Sequence, residues 1–345
     1  LGTVDAPFAG SFDGKGYTIS NLTVADIDYA AFIAFAAEDI TIKDLTLENV
    51  AIQSTKHAAG VVCIGGDGIT LDNITISGSI EAANYAGGIC HNISNVRITN
   101  CVNNASVSAQ RAAGIASWAA SNAIISGVEN HGDIMGSIGA SGIAHGFAGT
   151  ITNAANHGNI TSTGTEPAAG IAGVQKGAST YEYCVNYGTI TSTVDNPNSS
   201  AAGILGQTPG TTALLTYCAN YGTITAEQCY AAGIAYSLYG SINASYCYNN
   251  GAISGADGAG GIAPKAQYGS GDKAAYCLNG GTITSSNGTT YQASNNNTMC
   301  YYYNNGSLLN VGSNTVANVN DALTILNGGA DSDFFAINNG VISTK

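Results

Sequence analysis

The chain has 345 residues, with 9 Lys+Arg against 22 Asp+Glu, a formal net charge of -13 and only 9% charged residues. Cations this sparse cannot release counterions along a phosphate backbone, which excludes a nucleic-acid binder. A 45% hydrophobic composition excludes a disordered chain, and no apolar run reaches the ~18 residues a membrane-spanning helix needs, so no membrane insertion is expected.

In chain order, Leu1-Gly2-Thr3-Val4 carries neither the basic region nor the apolar core of a secretory leader. The opening reads as though it began inside a domain, so a piece of a longer polypeptide is expected. Beyond it a motif recurs, weakly at first. Leu22, Leu45 and Ile74 are assigned its first position, followed by Cys101-Val102-Asn103-Asn104, Val128-Glu129-Asn130-His131-Gly132 and Ala154-Ala155-Asn156-His157-Gly158. It then sharpens to Cys184-Val185-Asn186-Tyr187-Gly188, Cys218-Ala219-Asn220-Tyr221-Gly222, Cys247-Tyr248-Asn249-Asn250-Gly251 and Cys277-Leu278-Asn279-Gly280-Gly281. A second motif keeps the same period. It runs from Ala58-Ala59-Gly60-Val61 and Ala86-Gly87-Gly88-Ile89 to Ala231-Ala232-Gly233-Ile234 and Ala259-Gly260-Gly261-Ile262. Two motifs in phase identify a repeat. The unit is too short for a strand–helix–strand and is rich in β-branched residues, Gly and Asn. The reading is an all-β, right-handed parallel β-helix (a solenoid) of about ten or eleven coils, with two or three short strands per coil, stacked at about 4.8 Å. Residues 1–306 form the repeat domain and 307–345 a C-terminal cap.

Stacking turns each motif position into a column. The first-position Cys, Val and Ala residues should pile up inward, where free Cys acts as a small hydrophobe. Nine Cys cannot all pair within one chain, and none forms CxxC or a zinc-type cluster; packing rather than disulfides is expected. Asn103, Asn130, Asn156, Asn186, Asn220, Asn249 and Asn279 should form a buried ladder whose amides satisfy turn backbone. The recurring Gly should supply positive φ or close backbone approach. In the tail, Asn320-Asp321-Ala322-Leu323-Thr324-Ile325-Leu326-Asn327 reads as a short helix with Asn320 or Asp321 as its N-cap, and Asn339-Gly340 as a turn into a last strand.

Phe8-Ala9-Gly10-Ser11-Phe12-Asp13-Gly14-Lys15-Gly16-Tyr17-Thr18-Ile19-Ser20-Asn21-Leu22 resembles the opening coil of the GLUG-motif β-helix proteins, and the two repeats resemble the body of that family. The resemblance implies a bacterial secreted or surface protein, often a segment of an adhesin. A similar β-helix also accompanies the catalytic domain of IgA-specific metallopeptidases. The chain has no His-Glu-x-x-His, so that activity does not carry over.

Chemistry-bearing residues give three candidate faces. Aromatic residues make the first: Tyr183, Tyr217, Tyr246 and Tyr276 precede the inward Cys in four consecutive coils, and Trp118, Phe147, Tyr236, Tyr239 and Tyr268 follow the Gly-Ile strand. Sugar C–H faces pack on such rings, so Tyr183, Tyr217, Tyr246, Tyr276, Trp118, Tyr239 and Tyr268 are the candidate ligand-binding residues; the alternative is a purely structural ladder. Carboxylates make the second: Glu129 and Asp133 flank His131 with His157 one coil on, and Glu182 sits between two Tyr, as a polysaccharide-degrading enzyme could use. A Thr-x-Thr array (Thr189 with Thr191, Thr223 with Thr225, Thr282 with Thr284) is the third, and would suit an ice-binding surface. The leading expectation is a non-catalytic extracellular or cell-surface module that binds glycan or a host protein, or acts as a rigid spacer. No catalytic residue, metal or cofactor is assigned.

Overall fold

The computed structural model describes residues 1–193, 195–196, 199–207, 212–238, 241–266, 274–291, 299–304, 307–308, 319–328, 334–338 and 341–345. Nearly every strand joins one sheet of parallel ladders, wound as a parallel β-helix. A representative coil contains Ala172–Glu182, Val185–Asn186, Ile190–Ser192 and Ser200–Ala202, after which Leu205–Gln207 pairs with Ala172–Val174 and opens the next coil. That is four strands where two or three were expected, and one of them runs for 11 residues.

Like residues superimpose. Leu45, Ile74, Cys101, Val128, Ala154, Cys184, Cys218, Cys247, Cys277 and Cys300 lie in one file, so nine turns separate the first from the last. Leu22 does not belong to it. The registers Thr18↔Thr46 and Ile19↔Leu47 put Tyr17 opposite Leu45, because the first coil makes its corner at Lys15 and Gly16, both at positive φ. A second interior file is Ile52, Ile80, Val107, Ile134, Ile160, Ile190, Ile224 and Ile253, at most 1% exposed. Each such burial contributes about 1.5–3 kcal/mol, and together they make one core along the axis.

The Asn ladder forms without a gap. Asn103, Asn130, Asn156, Asn186, Asn220, Asn249 and Asn279 are all 0% exposed. Each Nδ2 from Asn103 to Asn249 donates to the next Oδ1 at 2.6–2.8 Å, and each Nδ2 also donates to the carbonyl two residues on. The Cys file is also hydrogen-bonded: Cys184 and Cys218 Sγ donate to Ile151 O and Tyr181 O of the preceding coil, each at 3.5 Å. All eight cysteines with described side chains are free and buried; burial pushes the Cys63 and Cys101 thiols up to about 12.

Glycine serves close approach rather than positive φ in the Ala-Gly-Ile motif. A Cβ on Gly60, Gly88, Gly114, Gly142, Gly170, Gly203 or Gly233 would lie 1.9–2.2 Å from the next coil's Gly carbonyl. Positive φ falls elsewhere, on the residue before the inward file: Asp44, Asn73, Asn100, Gly127 and Asn153, and then Tyr183, Tyr217, Tyr246 and Tyr276 at φ 53–56°.

The C-terminal segment is a helix, Val319–Leu326, followed by the antiparallel strands Phe335–Asn338 and Val341–Thr344. Asn320 and Asp321 lie inside the first turn and so are not the N-cap; Asp321 there still complements the helix dipole. Residues 339–340, read as the turn, lie outside the described residues. Rather than stacking on the end of the solenoid, the segment lies along its flank. Ala322, Leu326, Phe335 and Ile342 pack on Val185, Tyr217, Ala219, Tyr248 and Leu278, and Asn327 clamps Phe335 through both backbone groups.

Candidate functional site

The site is built by the corner after the Ala-Gly-Ile strand in the early coils. Parallel register stacks Tyr29, His57, Tyr85 and Arg111 on the near side of that corner, and Phe35, Ile64, Asn92 and Trp118 on the far side. The two columns face each other across a cleft of about 290 Å³ lined by Tyr29, His57, Ile64, Tyr85, His91, Asn92 and Trp118. Its walls are rings in mutual contact. His57 stacks on His91 with centroids 4.7 Å apart and planes within 11°, Tyr29 stacks on His57 at 5.5 Å, and Trp118 meets Tyr85 edge-on at 5.9 Å. Gly146 in the next coil lets the indole lie down, since a Cβ there would come within 2.5 Å of Trp118 Cε3.

The cleft is polar at defined points. His91 bonds Ser117 Oγ through Nδ1 at 2.8 Å, which fixes the ring. Burial, and secondarily His57, lowers its pKa to about 3, so the ring is neutral at pH 7. Burial also lowers that of His57, whose buried Nδ1 has no hydrogen-bond partner among the described residues. Two cations border the rings: Arg111 Cζ lies 5.3 Å from the Tyr85 centroid, and Lys176 Nζ 4.9 Å from that of Trp118. No carboxylate is among the lining residues.

Beside the cleft runs a polar chain, buried at Ser141 and His145 and half-buried at Glu166 and Arg111. Ser141 Oγ lies 3.3 Å from His145 Nδ1, His145 Nε2 2.8 Å from Glu166 Oε2, and Arg111 grips both Glu166 oxygens at 2.8 Å. Burial alone would raise the Glu166 pKa, but the His145 and Arg111 hydrogen bonds outweigh it and bring it to about 2. The order of groups mimics a nucleophilic triad. However, Ser141 is 0% and His145 1% exposed, and burial lowers the pKa of His145. The chain is therefore a strut that fixes Arg111 under Tyr85.

Of the sequence-designated residues, the structure brings Trp118 into this cleft. Tyr183, Tyr217, Tyr246 and Tyr276 form the anticipated stack elsewhere, with centroids 5.0–5.2 Å apart. Part of that stack is in contact with the chain itself: Tyr217 is 7% exposed, and Phe334 meets Tyr183 edge-on at 5.2 Å. Tyr239 and Tyr268 lie outside the described residues. Phe147 is 0% exposed and Tyr236 7% exposed. Glu182 has Thr152 and Thr216 as its rung neighbours, so it faces no carboxylate at its level. Asp133 accepts from Asn159 N and Nδ2 at 3.0 Å rather than from His131, which bonds Glu129. Met135, 58% exposed, interrupts the Thr array opposite Thr161. Sequence reasoning missed Tyr29, His57, Tyr85 and His91. The signal for Tyr29, His57 and Tyr85 was an aromatic residue just before the small-residue motif in three successive coils, whereas His91 follows the Gly-Ile strand and carried no such signal.

Fold and site together define a parallel β-helix carrying a ring-lined corner cleft. No protein-family model matches the chain. Over 90 residues, 25% of its length, it is 32% identical to halomucin from Haloquadratum walsbyi, of which that stretch spans 1%. Among solved structures it is similar to a proposed immunoglobulin A1 protease from Bacteroides ovatus, with 15% identity over 100% of this chain and 79% of that one, at a TM-score of 0.30.

Proposed function

We propose that this chain is a non-catalytic, adhesin-like module of a secreted or cell-surface protein, and that it binds glycan in the corner cleft. The observation that carries the reading is the set of half-buried rings, Tyr29, His57, Tyr85 and Trp118, around one concave opening. A pyranose offers an apolar C–H face to such rings. Its hydroxyls would meet His91 and the Asn92 amide, both of which line the cleft. The likeness to halomucin supports the extracellular setting. Against hydrolysis, no carboxylate is among the residues lining the cleft, and Glu166 beside it is held ionised by Arg111 and His145. In this reading the Tyr183–Tyr276 column seats the C-terminal segment and stiffens the rod.

The test is a glycan and mucin array probed with the intact chain, followed by calorimetry on the best ligand. Trp118→Ala or Tyr85→Ala should lower affinity at least tenfold, about 1.4 kcal/mol or more, with the far-ultraviolet spectrum unchanged. An array with no bound glycan leaves the spacer role and removes the binding role. Release of oligosaccharide from any polysaccharide would overturn the non-catalytic reading.

A further inference from the structure

Away from the cleft, position four of the Asn motif stacks His131, His157, Tyr187 and Tyr221 ring on ring. The centroid spacings are 4.6, 4.8 and 5.4 Å, and the planes agree within 11°. Glu129 lies near the end of the strand Ala116–Asn130, and His131 follows directly after it. Glu129 Oε2 lies 2.8 Å from His131 Nε2. One ligand atom from each of Glu129, His131 and His157 lies within 4.8 Å of the others, and all three residues are exposed.

We propose that Glu129, His131 and His157 form a surface site for a divalent transition-metal ion, with Zn²⁺ as the ion the donor set fits best. Two imidazoles and one carboxylate are borderline ligands that suit Zn²⁺, Ni²⁺ or Cu²⁺ over Ca²⁺ or Mg²⁺, which prefer all-oxygen shells. Three protein donors leave a fourth tetrahedral position open to water or to a ligand from a partner. A Zn–N bond of about 2.0–2.1 Å requires donors about 3.3 Å apart in a tetrahedron. The Glu129–His131 pair must therefore open slightly as the metal replaces the proton they share, and His157 must tilt toward it. Both moves are rotations of exposed side chains; His131 and Glu129 are 40% and 51% exposed. The backbone beneath stays fixed, because Asn130 and Asn156 are bonded to each other in the buried ladder.

Titration of the tag-free chain with ZnCl₂ by calorimetry tests the site. The expected result is one Zn²⁺ per chain, undisturbed by excess Ca²⁺. The double variant His131→Asn/His157→Asn puts at both places the residue the repeat itself carries there at Asn104 and Asn250, so the fold should be kept. It should lose at least tenfold in Zn²⁺ affinity, and Glu129→Gln a smaller, severalfold amount, as loss of one of three ligands implies. Absence of saturable binding, or equal affinity in the double Asn variant, would overturn the proposal.

Discussion

Asn186 shows what one residue does in this fold. Its side chain accepts from Asn156 and donates to Asn220 and to Gly188 O, all at 2.8–2.9 Å. Asn186→Ala should orphan three buried groups and cost about 3–5 kcal/mol, on about 1–3 kcal/mol for each; a lowered denaturation midpoint measures it. The left-handed corner makes a different demand. A bulky residue at positive φ is an outlier costing roughly 1–2 kcal/mol, yet four Tyr in a row hold it. The ring contacts on both sides, worth about 0.5–1.5 kcal/mol each, offset the strain. Tyr246→Ala should therefore destabilise more than Tyr246→Asn, by about 1 kcal/mol, because only Asn is at ease at that corner. Glu166 sets an acid limit. Its pKa is about 2 folded against the ordinary 4.5. A depressed carboxyl stabilises fully above its unfolded value and loses that contribution as pH falls through its folded value. The strut thus contributes at most about 3 kcal/mol, complete above about pH 4.5 and lost toward pH 2. Acid titration of stability should show this limb in the parent chain, flattened in Glu166→Gln.

At the scale of elements, the flank decides where the C-terminal segment docks. The outward residue after the inward file is Thr46, Thr75, Val102, Glu129 and Ala155 in the early coils, all at least partly accessible; it then becomes Val185, Ala219, Tyr248 and Leu278, all buried. The helix and hairpin cover that apolar strip. Phe335 is 1% exposed, so Phe335→Ala should cost about 3–5 kcal/mol of local stability. Limited proteolysis should then cut residues 319–345 well before the coils. The repeats were legible because in-register parallel strands force like residues into files, so Cys184 and Asn186 announced their own surroundings. The corners were less so. The run Asp44, Asn73, Asn100, Gly127, Asn153 spells a left-handed position, but the Tyr that follow disguise it, since Tyr carries no such preference. The docking strip was hidden because its partner is remote in sequence: Tyr187 Oη bonds Thr344 Oγ1 across 157 positions. The cleft was half legible. Trp118 was visible as an aromatic after the Gly-Ile strand, but the column facing it, Tyr29, His57 and Tyr85, lies before that strand, and only the corner brings the two together.

For the whole molecule, one core with no disulfide among its described cysteines makes stability a sum over stacked neighbours. Native protein should expose at most one thiol to Ellman's reagent and all nine after unfolding in guanidinium, since eight of the nine Cys are shown buried. Early coils carry the cleft and late coils carry the C-terminal segment. Binding and bracing thus occupy different stretches of the same rod. Trp118 is the chain's single Trp, so its emission reports on the cleft alone. Fluorescence titration with the array-selected glycan should give a saturable change in that emission, with an affinity that falls at least tenfold in Tyr85→Ala. Glycan binding that leaves the Trp118 emission unmoved, or that Tyr85→Ala does not weaken, would contradict the placement of the site.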